Sequence, residues 1–182
     1  MKMTKSILIA AMLLFTLGTY AQDMDDQRVM VDAEKAKTKL MKSNEGLDMF
    51  FENASGYVVF PNVGEGGLIV GGASGNGVLY ENGKPVGMAD LKKLDVGLQA
   101  GGQALTEIIF FETAEALQRF KQDKFEFSAE ATAVALEKGV AANASYNDGV
   151  VVFAKPKKGL MADLSVGGQK FNYTDMENIE KK

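Results

Sequence analysis

A change of period at Gly56 limits how this chain can fold more than any other feature. Before it, Val29, Ala33, Ala36 and Leu40 are spaced four, three and four apart, which puts them on one face of a helix. After it, apolar residues come in short β-rich runs. Tyr57-Val58-Val59-Phe60 is stopped by Pro61-Asn62, and Gly67-Leu68-Ile69-Val70 sits between glycines. Val78-Leu79-Tyr80 and Pro85-Val86-Gly87-Met88 flank Asn82-Gly83. Asn-Gly between apolar runs predicts a hairpin, because both residues accept the positive φ of a type I′ turn.

The helical period spans Gln27 to Phe51, interrupted by Ser43, Asn44 and Gly46, so two helices are expected, the second around Leu47 to Phe51. Leu94 to Ala104 and Thr106 to Phe111 read as strands. Thr113 to Gln122 reads as a helix that Thr113 caps, with Ala116, Leu117 and Phe120 on one face. Phe125, Phe127, Ala129, Ala131 and Ala133 alternate with mostly polar residues, as in a strand with one buried face. Val134 to Ala142 suits helix or strand. Asn147-Asp148-Gly149 is a turn, Val150 to Phe153 a strand, and Gly159 to Gly168 with Lys170 to Tyr173 a final hairpin. The tail from Asp175 to Lys182 is charged and expected to be loose.

These elements predict an α+β fold: an antiparallel, strongly curved β-sheet, barrel- or sandwich-like, with an N-terminal helix and one further helix. Glycines inside strands mark bends or close backbone approaches, which curved sheets need. Phe60, Val70, Phe110, Val152 and Leu160 are the expected core.

Ahead of all this stands an address. Lys2 and Lys5 precede an apolar run from Ile7 to Leu17, and Gly18, Thr19, Tyr20 and Ala21 follow. A basic start, a short apolar centre and a small-residue end describe a secretory signal peptide. The run is about half the roughly 20 residues a spanning helix needs. Cleavage is expected after Ala21. The organisation is then a signal peptide at 1–21, a helical segment at 22–53, a glycine-rich β domain at 54–174 and a charged tail at 175–182. The protein would be exported, to the periplasm or the extracellular space, with the periphery of a membrane as a further expected place.

Composition removes much chemistry. There is no His, Cys or Trp, hence no imidazole base, thiolate, disulfide or Cys/His zinc site. The formal charge of −4 falls to −6 once Lys2 and Lys5 are removed, which argues against nucleic acid as a partner. Gly83-Lys84 is followed by Pro85 where a P-loop needs Ser or Thr. The glycines from Gly71 to Gly77 lead into a strand, whereas the dinucleotide fingerprint opens a helix. Glu126 and Glu130 would share a strand face, yet no carboxylate spacing picks out a glycosidase pair. Asp23, Asp25 and Asp26 lack the Gly and distal Glu of a calcium loop. No catalytic residue, cofactor site or metal site is predicted, and the chain reads as no enzyme.

One charged feature stands out. At about 100° per residue, Arg28, Lys35, Lys39 and Lys42 gather on one side of the first helix. A helix flanked by cations suits an anionic bilayer, at about 1 kcal/mol per Lys or Arg near the surface. These four are the candidate lipid-binding residues. The plain alternative is a helix packed on the sheet with solvated lysines.

The β-rich region resembles the SYLF-domain family, also called the lipid-binding or actin-regulating SYLF domain. The likeness rests on motifs in order: Ala54 to Val63 as the opening strand; Gly66-Gly67-Leu68, Gly71-Gly72 and Gly75-Asn76-Gly77-Val78 as the glycine-rich hairpin; and Gly97-Leu98-Gln99-Ala100-Gly101-Gly102-Gln103 as the Gly-x-Gln-x-Gly strand. Ile108 to Phe111 and Ala116 to Phe120 resemble the strand and helix that follow, and Lys158 to Ser165 the closing segment. The likeness covers about Ala36 to Tyr173. Leu68 stands where an aromatic is usual, Asp163 where a Gly is, and no Trp precedes Pro85. The resemblance implies a non-enzymatic exported bacterial member that binds lipid or membrane surfaces. Eukaryotic members have phosphoinositide and actin-filament binding attributed to them, ligands an exported bacterial protein would not ordinarily meet. The alternative reading is a β-rich structural or interaction module that binds a cell-envelope protein.

Overall fold

A computed structural model describes residues 25–66, 70–96, 103–127, 131–137, 141–157 and 166–179. The expected signal peptide and its Ala21–Gln22 bond lie outside the described residues, as do Leu160 and the whole closing motif at Lys158 to Ser165.

Residues 25–43 form α1, and α2 follows at Leu47–Asn53. The break falls where the sequence places it. Asn44 is buried, and its Nδ2 donates to the Leu40 carbonyl at 2.9 Å, taking one of the carbonyls that a helix end leaves open. Seven strands follow: β1 Gly56–Gly66, β2 Val70–Glu81, β3 Lys84–Val96, β4 Gln103–Phe111, β5 Val134–Ala135, β6 Val150–Pro156 and β7 Lys170–Asp175. Helix α3 spans Ala114–Lys121 between β4 and β5, and α4 is the short Met176–Ile179. Thr113 caps α3 as expected, its Oγ1 accepting from Ala116 N–H at 3.2 Å. Ala116, Leu117 and Phe120 are its buried face.

All seven strands belong to one sheet, in the order β5-β6-β4-β1-β2-β3-β7. The α+β class is correct, but the sheet is open, with β5 and β7 as its edges. It is therefore neither the strongly curved barrel nor the sandwich expected. It is also mixed, because β5 runs parallel to β6 while every other pairing is antiparallel. Among the described residues the N-terminal helical segment divides into α1 and α2, α3 is the one further helix expected, and α4 is additional.

Several strands are longer than their apolar runs. Pro61-Asn62 does not stop β1. The register with both neighbours shifts there, a bulge in which proline's missing N–H does no harm. Thr106 Oγ1 donates to the Pro61 carbonyl at 3.2 Å. Likewise β2 runs unbroken through Gly71–Gly77. A Cβ on Gly77 would stand 2.6 Å from the Phe60 ring, so that glycine makes room for a core aromatic. The Asn82-Gly83 hairpin forms, with φ of 50° and 75°.

Two expectations concern the last third. Residues 128–130 lie outside the described residues; on either side of them Phe125 and Ala133 are buried, and among the described residues the pairing is by isolated bridges, one of them Glu126 to Lys170. Carbonyls of these stretches are used by a turn, Val166 N–H reaching Ala131 O at 2.9 Å and Gly168 N–H reaching Phe127 O at 3.2 Å. And β7 pairs along β3, Ala89 opposite Tyr173 and Leu91 opposite Phe171, while residues 159–165 of the expected final hairpin lie outside the described residues. The tail begins with ordered structure: Asp175 Oδ1 accepts from Glu177 N–H at 3.0 Å, which starts α4.

Both sheet faces are covered. The inner face packs Val58, Phe60, Leu91, Phe111 and Phe171 with α3 and Phe125. The outer face packs Val59, Val78, Phe110 and Phe153 under Ala33 and Leu40 of α1 and Leu47 and Phe50 of α2. Of the expected core, Phe60, Phe110 and Val152 are buried. Val70 opens β2.

Candidate functional site

Helix α1 lies over the outer face with Ala33 and Leu40 inward. Arg28, Lys35, Lys39 and Lys42 are all exposed, as a row turned away from that stripe would be. They are not equivalent. Arg28 has Asp25 Oδ1 at 3.8 Å and Lys35 has Asp32 Oδ1 at 3.5 Å, each one turn back on the same helix. Such exposed pairs contribute little to stability, but they halve the row's local charge. Lys39 and Lys42 have no ion pair among the described residues.

Beside the cations are apolar side chains that the fold leaves in water. Val31 is 52% exposed and Met41 39% exposed on α1, and Met49 is 53% exposed on α2. Val31 is three residues from Arg28 and so about 60° round the helix from it. Met41, ten residues beyond Val31, lies about 80° further round from the cations and about 15 Å along the helix, so Val31 is the exposed apolar residue of α1 nearest the cationic row.

The sequence reading missed two contributors. Lys37 is the first. It turns towards the sheet, its side chain 15% exposed, with Nζ 2.8 Å from Glu34 Oε2 and 4.9 Å from the centre of the Tyr80 ring. Tyr80 stacks on Tyr57, centroids 5.1 Å apart and planes at 13°. Burial pushes both phenols above their usual value. The Glu34 carboxylate adds to the rise at each, while Lys37 opposes it at Tyr57. Lys155 is the second. Its Nζ donates to Ser43 Oγ at 3.4 Å, which brings a β6 lysine to the end of α1. Lys157, two residues on, donates to Asn62 Oδ1. Lys155 and Lys157 are two apart in the sequence, but that β6 ends beside α1 is not visible there.

A cavity of about 330 Å3 lies under the first turns of α1, lined by Arg28, Asp32, Asn62, Ser74 and Asn76 among others. Among the described residues no group of three or more His, Cys, Asp or Glu could hold a metal ion, and no helix is long and apolar enough to cross a membrane. The arrangement offers charge and apolar surface rather than a nucleophile or a base.

Residues 92–180 match the model of a family described as Ysc84, Las17-binding protein actin regulator. This is the SYLF domain. The Ala54 to Val78 motifs lie before the matched segment. The chain is also similar to Beta cell expansion factor A of Aeromonas veronii, 28% identical over 141 residues. That alignment covers 76% of this chain and 53% of the relative, so the chain spans about half the length of the protein it matches.

Proposed function

Because residues 92–180 carry the SYLF (Ysc84) family domain, we propose that this chain is a non-enzymatic protein that binds anionic lipid at a membrane surface through the outward side of α1. One observation carries the reading: Lys39 and Lys42, free of ion pairs among the described residues, share α1 with exposed Val31 and Met41. Cations attract anionic headgroups, and the apolar side chains enter the headgroup–acyl boundary. A helix serving only to pack on the sheet would gain nothing from a valine and a methionine held in water.

The family's description concerns actin regulation. We propose instead a lipid surface in the cell envelope, because the segment from Lys2 to Ala21 has the layout of a secretory signal peptide. Mass spectrometry of envelope material should show a chain starting at Gln22. Recovery of a mature protein that begins at Met1 would refute export.

Liposome flotation tests the surface reading. Binding should rise with the fraction of anionic lipid and fall with salt, since the Debye length shrinks. Changing Arg28, Lys35, Lys39 and Lys42 together to Gln should preserve the helix. Partition should drop at least tenfold, about 1.4 kcal/mol. Equal flotation of variant and parent would remove α1 as the contact. Indifference to lipid charge would favour a module that binds a cell-envelope protein.

A further inference from the structure

Ser74 and Asn76 are two apart on β2, so they share the outer sheet face with Val78. Asn62, at the β1 bulge, stands opposite Asn76. These three exposed side chains floor the cavity of about 330 Å3, and Arg28, Val29 and Asp32 of α1 form its other wall. The Ser74 hydroxyl and the Asn76 amide make no hydrogen bond among the described residues. Asn62 uses only its Oδ1, which accepts from Lys157 Nζ. Gly64 lies opposite Ser74, and a Cβ built on it would meet nothing within 4 Å, so the outer face beside the cavity is open.

The charges round the cavity cancel in pairs, with one exception. Arg28 has Asp25 Oδ1 at 3.8 Å, and Asp32 has Lys35 Nζ at 3.5 Å. On β3, Asp90 is opposite Asn76 and Lys92 opposite Ser74, one of each sign on the same face. Asp26, earlier on α1, is already engaged in an interaction of its own. What remains is positive. Lys157 and, two residues back, Lys155 have no ion pair among the described residues, and Lys157 reaches the cavity wall at Asn62.

We propose that this cavity binds a uronic acid unit of an acidic polysaccharide, its carboxylate towards Lys157 and its hydroxyls on Ser74, Asn76 and Asn62 Nδ2. An amide and a hydroxyl each donate and accept, as a sugar hydroxyl does, whereas a carboxylate or a phosphodiester only accepts. Val29 and Pro61 supply apolar wall for the C–H face of the ring. Ligand sites commonly occupy about 300–1,000 Å3, so this cavity suits one ring, and the open face at Gly64 leaves room for the next unit of the polymer. A bilayer does not fit, because the walls hold no exposed apolar side chain to enter it. The site does not rest on the lipid reading of α1, although Arg28 stands at the edge of both surfaces.

Calorimetric titration of the purified chain in calcium-free buffer tests it with three probes. Trigalacturonate carries hydroxyls and carboxylates, maltotriose hydroxyls alone, and tricarballylate carboxylates alone. Trigalacturonate should bind saturably at one site per chain, at least tenfold more tightly than either of the others. Changing Ser74→Ala and Asn76→Ala together should weaken it at least tenfold while thermal unfolding stays cooperative. If that pair does not fold, Ser74→Tyr, at an exposed wall position, fills the cavity instead. Lys157→Gln should narrow the preference for trigalacturonate over maltotriose at least threefold. The variant with Lys39→Gln and Lys42→Gln should bind trigalacturonate like the parent. Absence of saturable binding, or undiminished binding in a folded Ser74 and Asn76 variant, would overturn the site. Equal affinity for maltotriose, or a preference that Lys157→Gln leaves unchanged, would overturn the acidic group. Equal affinity for tricarballylate would overturn the sugar. Displacement by phosphatidylglycerol vesicles from the Lys39 and Lys42 variant would make the cavity a headgroup site and overturn the assignment.

Discussion

Gln169 donates from Nε2 to Glu107 Oε2 at 3.1 Å, and both residues are 1% exposed. The bond ties the turn before β7 to the middle of β4, 62 residues away. A carboxylate taken out of water needs donors around it. Gln169→Leu keeps most of the volume and removes this donor, so it should cost about 1–3 kcal/mol in urea unfolding. A midpoint equal to the parent's would show that the bond does not hold the turn.

Phe110 is the centre of the outer-face core. It has no exposed surface and lies within 6 Å, ring to ring, of Phe50, Phe51, Tyr57 and Phe153. Those partners come from α2, β1 and β6. Phe110→Ala should cost about 3–5 kcal/mol, because so many rings cannot collapse together into the space. A loss below about 1 kcal/mol would contradict the packing described.

The Tyr57–Tyr80 stack makes the fold sensitive to alkali. Both phenols titrate higher folded than unfolded, chiefly because burial disfavours the phenolate, with Glu34 adding to it. Below about pH 10, the unfolded value, both states keep the proton and no penalty exists. Above it the unfolded chain loses protons that the folded one retains, so stability falls as pH rises. Urea midpoints should be flat from about pH 7 to 9 and decline beyond pH 10. Tyr80→Phe should reduce the steepness of that decline. A slope unchanged in Tyr80→Phe would assign the alkaline loss to other groups.

The four cations of α1 should not contribute equally to membrane partition. Asp25 and Asp32 already sit near Arg28 and Lys35. The pair Lys39→Gln and Lys42→Gln should therefore lower flotation on anionic vesicles more than Arg28→Gln and Lys35→Gln. The reverse order would mean that the aspartates turn away when the helix meets lipid.

What the sequence made legible was local chemistry. Thr113 as a cap, Asn82-Gly83 as a hairpin turn and the interruption at Asn44 each depend on a few neighbouring residues, and each is where the residues put it. Partners chosen across long separations were not legible. Proline at 61 looked like a stop because the bulge that accommodates it is made by β2 and β4. Lys170 to Tyr173 reads as a strand from its own residues, but that it pairs with β3, Phe171 buried opposite Leu91, depends on a partner some eighty residues away. Four candidate contact residues followed from helical spacing, but Lys37 on Tyr80 and Lys155 beside Ser43 required the sheet to be assembled first.

Among the described residues strand β7 follows every other strand in the sequence yet seals the edge of β3, with Phe171 among Phe60, Phe120 and Phe125. Synthesis must therefore run through Asp175 before the sheet is complete. Until then the nascent chain holds β3 with a row of unpaired amides and carbonyls, the kind of edge that recruits other chains. A chain cut before Lys170 would leave β3 uncovered from Gly87 to Lys92 and would be not merely shorter but prone to join other chains.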